Sequence, residues 1–74
     1  MAIRVECYAG WRGEQEPRAF HLGERRLEVE AILDRWNAPG QRWFKVKASD
    51  GNSYILRHDE ARGAWEFAAF SARA

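Results

Sequence analysis

Seventy-four residues supply apolar material for one small core and leave none for a second, so residues 1–74 read as a single small β domain. Hydrophobic residues make up 46% and aromatics 14% of the chain, with four tryptophans among them, which excludes a disordered polymer and gives a small fold large units of burial. Twelve basic and eleven acidic residues nearly cancel, so the concentrated positive charge of a strong nucleic-acid binder is missing.

The kind of charge is more informative than its sum. Ten of the twelve basic residues are arginine, and arginine beside tryptophan is the composition of binding hot spots. Cys7 is the single cysteine, so no internal disulfide forms and a reducing compartment is expected. The start of the chain alternates like a strand and lacks the apolar core of a secretory signal, and no run approaches the ~20 apolar residues of a membrane span. These features point to a cytoplasmic protein with no membrane contact and no cofactor.

In chain order, Ile3, Val5 and Cys7 alternate with Arg4, Glu6 and Tyr8, the pattern of a half-buried strand. The glycines, proline and charges of AGWRGEQEP predict a loop over residues 9–17. Phe20 and Leu22 resume the period of two, and Gly23-Glu24 predicts a turn. The segment RRLEVEAILDRWNAPG carries two periods at once. Val29, Ile32, Leu33 and Trp36 fall at helical spacing with NAPG as a stop, whereas Leu27, Val29, Ala31 and Leu33 alternate like a strand. Strands on both sides favour a bent strand with an irregularity near Ala31 and Ile32, with a helix over residues 27–36 as the alternative.

RWFKVKASDGNSYILRHD predicts a hairpin whose loop length follows from matching faces. A two-residue Asp50-Gly51 loop would set Phe44 against Arg57 and bring an arginine into the core register. A three-residue loop of Ser49, Asp50 and Gly51 pairs Val46 with Tyr54 and Phe44 with Leu56, and places Gly51 in the left-handed region after a type I turn. Trp43 then lies across from Arg57 on the outer face, within cation–π reach. In the last strand Trp65 and Phe67 share a side. A four-residue loop over residues 59–62 would pair His58 with Gly63, Leu56 with Trp65 and Tyr54 with Phe67. The expected fold is all-β: five or six antiparallel strands as a twisted meander or a small, partly open, SH3-like barrel.

The stretch RHDEARGAW, residues 57–65, has the residue types of a catalytic or metal site. In a strand, however, His58 and Asp59 point to opposite faces, so the stretch reads as a turn between strands. Paired zinc-ligand spacings are missing among Cys7, His21 and His58, and no serine has a histidine held beside it by a local pattern. No glycine-rich loop opens a helix to cradle phosphate. The expectation is a protein that is not an enzyme and has no catalytic or metal-ligating residues. What remains is aromatic and arginine surface: Trp11 and Arg12 between two glycines, Trp36 before the NAPG turn, and Trp43 with Arg57 on neighbouring strands, flanked by Lys45 and Lys47.

The run RWFKVKASDGNSYILRHDEARGAW resembles a pattern in a family of short, uncharacterised bacterial β-domain proteins, through Arg42, Trp43, Phe44, Val46, Asp50-Gly51, Tyr54, Leu56, Arg57, Asp59 and Trp65, with VEAILDRW upstream. It is also similar to the small C-terminal β module of some bacterial proteins related to translesion polymerases. The resemblance covers roughly residues 27–70 and implies a bacterial origin and a link to DNA damage tolerance. The functional expectation is an interaction module that binds another protein through Trp11, Arg12, Trp36, Trp43 and Arg57. The alternative is single-stranded nucleic acid stacked on Trp43 and Trp11, with Lys45, Lys47 and Arg57 meeting phosphates. A second copy of the chain is a further candidate partner.

Overall fold

Six antiparallel strands follow one another in the computed structural model, which describes residues 2–9 and 15–71: β1 (Ala2–Ala9), β2 (Gln15–Leu22), β3 (Arg25–Ala38), β4 (Gln41–Ala48), β5 (Ser53–Asp59) and β6 (Ala64–Ser71). Each strand pairs with the next, and β1 closes the sheet on β6 through Ala2 opposite Glu66 and Ile3 opposite Trp65. The expected all-β fold is therefore present as a closed six-stranded barrel.

The β4–β5 hairpin has the expected register throughout: Val46 faces Tyr54, Phe44 faces Leu56 and Trp43 faces Arg57. Its turn is the expected one as well. The Gly51 N–H donates to the Ala48 carbonyl at 2.9 Å, the Ala48 N–H donates to Asn52 at 2.9 Å, and Gly51 has a φ of 87° that a side chain would strain. Asp50 ties the loop down by accepting from the Asn52 N–H at 3.0 Å and from the Tyr54 hydroxyl at 2.5 Å.

The ambiguous segment is β3, a strand of fourteen residues. Its pairing with β4 shifts between Val29 and Ala31 and again between Ile32 and Asp34, so Glu30 and Leu33 are extra residues. The irregularity predicted near Ala31 and Ile32 is this pair of bulges. Because each bulge adds one residue, the positions aligned with core partners are Leu27, Val29, Ile32 and Arg35, opposite Phe20, Ala48, Val46 and Phe44. Spacings of two, three and three imitate a helix.

Two expectations need correction. The loop predicted over residues 9–17 is shorter, because Ala9 pairs with Gln15, Tyr8 with Glu16 and Cys7 with Pro17. Pro17 is accommodated where β2 bulges at Arg18 and has already left β3, whose last partner pair is Ala19 with Glu28; it holds an edge position. The β5–β6 register is also displaced by two residues. His58 faces Trp65, not Gly63; Leu56 faces Phe67, not Trp65; and Tyr54 faces Phe70, not Phe67. Asp59 is the last residue of β5, opposite Ala64, so the loop spans residues 60–63, and a bulge between Ile55 and Leu56 produces the shift at Tyr54.

A displacement of two keeps every side chain on its own face, so the core is the expected one. Phe20, Phe44, Val46 and Leu56 are wholly buried, with Tyr54 and Trp65 beside them. Edge-to-face packing of Phe20 on Tyr54, ring centres 5.0 Å apart, joins opposite walls of the barrel, and Phe44 tilts on Trp65 at 5.6 Å across the inside of β5. Ile3, Val5 and Cys7 pack on this cluster from β1, as their alternation predicts.

Candidate binding surface

One row of residues crosses the outside of the barrel from strand to strand: Trp36 on β3, Trp43 on β4, Arg57 on β5, Glu66 on β6. Trp36 and Trp43 are direct cross-strand neighbours, and their rings stack with centres 6.3 Å apart and planes 5° from parallel. Trp36 is 40% exposed and Trp43 half-buried, so the pair is a rigid aromatic platform open to solvent. Arg57 turns from Trp43 to the other side and pairs with the Glu66 carboxylate, while its Nε is buried without a hydrogen bond. That guanidinium holds the Glu66 carboxyl below the usual carboxylate range.

Lys45 follows Trp43 on the same face, half-buried between Asp34 and Ile55, and Lys47 is exposed beyond it. Arg42 faces inward, its guanidinium 5.1 Å from the centre of the Phe44 ring, the cation–π contact that closes this end of the core. Of the residues expected at a surface, Trp36, Trp43, Lys45 and Arg57 come together; Trp11 and Arg12 lie outside the described residues. Trp65 belongs to the core.

His58 ends the inner face, opposite Arg42 and Trp65. Its ring stacks on Trp65 at 4.4 Å and 15°, and its buried Nδ1 makes no hydrogen bond. Asp59 points elsewhere and accepts the Arg62 N–H of the turn at 3.2 Å, so the two do not converge. Burial pushes the His58 pKa down from its ordinary value and Arg42 adds to this, while Glu60 and Asp59 oppose it too weakly to reverse the direction. The unfolded chain therefore binds the His58 proton more readily than the barrel does. The stability of the neutral ring is present above about pH 6.5 and is lost as the pH falls below it. Thermal unfolding followed from about pH 7.5 to about pH 5.5 should show a falling midpoint that His58→Phe flattens; an equal fall in that variant would place the effect elsewhere. Glu6, Asp50 and Glu66, all held low, act only in a more acidic window.

Sequence reasoning missed a clasp on the opposite wall. The Glu6 carboxylate accepts from Arg26 at 2.7 and 3.0 Å and contacts His21 Nε2 at 2.9 Å, tying β1 to β2 and β3. Arg26 first, then His21, lower the Glu6 pKa to about 2. The three residues are distant in sequence, and Glu6 comes opposite Ala19, two residues from His21, only through the bulge at Arg18. Nearby, burial pushes the Cys7 thiol pKa up from its ordinary value. Among the described residues, no three His, Cys, Asp or Glu side chains gather to hold a metal, and no helix is long and apolar enough to cross a membrane.

No family model matches the chain, and no curated protein or solved structure matches it significantly.

Proposed function

We propose that this barrel is a non-catalytic interaction module that binds another protein on the face carrying Trp36 and Trp43. The observation that carries this reading is the stacked indole pair on the outside of a closed barrel. Two large, rigid side chains already ordered against each other offer contact area at little entropic cost, which is how aromatic hot spots work. The neighbouring charges support it: Arg57 is matched by Glu66 and Arg35 by Glu16, so two of the nearby cations are engaged within the barrel. A Cys7 thiol whose pKa burial raises and a His58 turned into the core give no support to catalysis.

Lys45 and Lys47 beside Trp43 favour the rival reading, single-stranded nucleic acid stacked on the indoles, and with it the link to DNA damage tolerance that the resemblance implies. Salt separates the two. A peptide selected by the domain from a displayed library should bind with an affinity that changes less than about threefold between about 50 mM and about 200 mM salt. An oligonucleotide held by the two lysines would instead lose about tenfold over that range. Tight oligonucleotide binding with that slope, and no selectable peptide, would overturn the protein-binding reading.

A further inference from the structure

β3 parts from β2 after Ala19 and Glu28 but stays paired with β4 as far as Ala38 opposite Gln41. Beyond the parting, its far edge carries no ladder among the described residues, and residues 33–40 are all exposed. Two large exposed hydrophobic side chains stand on it, Leu33 at 51% and Trp36 at 40%. A strand paired on one side only presents a row of N–H and C=O groups to any chain that can align with it. Their direction can be read from one bond: the Arg35 N–H donates to Asp34 Oδ1 at 2.8 Å, so it points away from β4. By the alternation of an antiparallel ladder the N–H and C=O of Asn37 point the same way, and those of Trp36 point back at β4.

We infer that a second copy of this chain pairs antiparallel along this edge, with the two-fold axis between the two copies of Trp36. The register follows from face and charge. Opposed residues must lie on the same face of the continued sheet, which removes registers centred between residues. Centring on Arg35 opposes two arginines, centring on Asp34 opposes two aspartates, and centring on Asn37 sets Arg35 against Pro39, which has no N–H to give. Centring on Trp36 sets Arg35 against Asn37 and Asp34 against Ala38, with no like charges opposed. It also lets the outward N–H and C=O of Arg35 and Asn37 exchange bonds across the axis. The indole pair of each copy then joins its mate in a row of four across the dimer. Asp34 must release the Arg35 N–H, and the shared edge is short, so the dimer is a weak one.

This pairing does not depend on the partner proposed above, because it is read as mass with the protein alone. In sedimentation the mass should rise from 8.6 kDa toward twice that value between about 10 μM and about 1 mM protein. Asn37→Pro removes an N–H that has no partner among the described residues and should stay monomeric with an unchanged near-ultraviolet dichroism spectrum. A wild-type mass that never rises, or an Asn37→Pro barrel that associates as well as wild type, would overturn the proposal. If proline disturbs the fold, cysteines decide. On a Cys7→Ser background, Trp36→Cys lies opposite itself at about 4.5 Å between Cα atoms, within disulfide range, whereas Asp34→Cys faces Ala38. Oxidation that links the first variant and spares the second supports this register; equal linking of both, or of neither, overturns it.

Discussion

Replacing Phe44 with alanine is expected to destabilise the barrel by about 3–5 kcal/mol, the range for a wholly buried aromatic whose loss leaves a cavity. Phe44 has no exposed surface, faces Leu56 across the hairpin, packs on Trp65 and carries the Arg42 guanidinium over its ring. Removing it takes the support from all three at once. A chain of this size holds about 4–11 kcal/mol in total, so the variant should lose about a quarter of its stability or more and be partly unfolded at warm temperatures. Urea unfolding is the measurement: the midpoint should fall with the slope unchanged. Phe70→Ala is the comparison, since Phe70 is 50% exposed and its truncation should cost about 1 kcal/mol. Equal losses at the two positions would contradict the placement of the core.

Replacing Trp36 and Trp43 together with alanine should weaken binding of a selected peptide by about 30-fold or more, the scale of losing a hot spot worth about 2 kcal/mol. The fold should survive with a loss of about 1–2 kcal/mol, because a cross-strand pair on the outside contributes less than a core aromatic. Lys45→Ala should change the same affinity by less than about threefold, as rim charges contribute little. Titration calorimetry on the three proteins reads all of this. Unchanged binding in the double variant would remove the indole platform from the site.

How far the fold could be read in advance depended on how faces are encoded. Alternation specifies which face a residue takes, so the β4–β5 hairpin could be aligned by requiring Phe44 and Val46 to meet Leu56 and Tyr54, and the structure agrees. The same information cannot distinguish registers that differ by two. That is why alternation pairs His58 with Gly63 when it stands opposite Trp65, while Trp65 and Phe67 still reach the core. Bulges are the other hidden variable. In β3 two of them convert a period of two into helix-like steps, and in β2 a third lets Pro17 sit in a strand where proline reads as loop.

The surface was legible in part. Trp43 opposite Arg57 follows from the hairpin alone, whereas Trp36 beside Trp43 depends on the two-residue Pro39-Gly40 turn, in which Gly40 has a φ of 74°. The partnership of Arg57 with Glu66 followed from neither, because it needs the β5–β6 register that was displaced.

The closure of the barrel also orders its assembly in time. Among the described residues every other strand pair joins neighbours in sequence, but Ala2 with Glu66 and Ile3 with Trp65 join β1 to β6. Contacts across such a span carry the largest loop entropy and form late. During refolding β1 therefore gains β2 before β6, and the chain passes through an open sheet in which the edge of β1 at Ala2 and Ile3 still waits for its second neighbour.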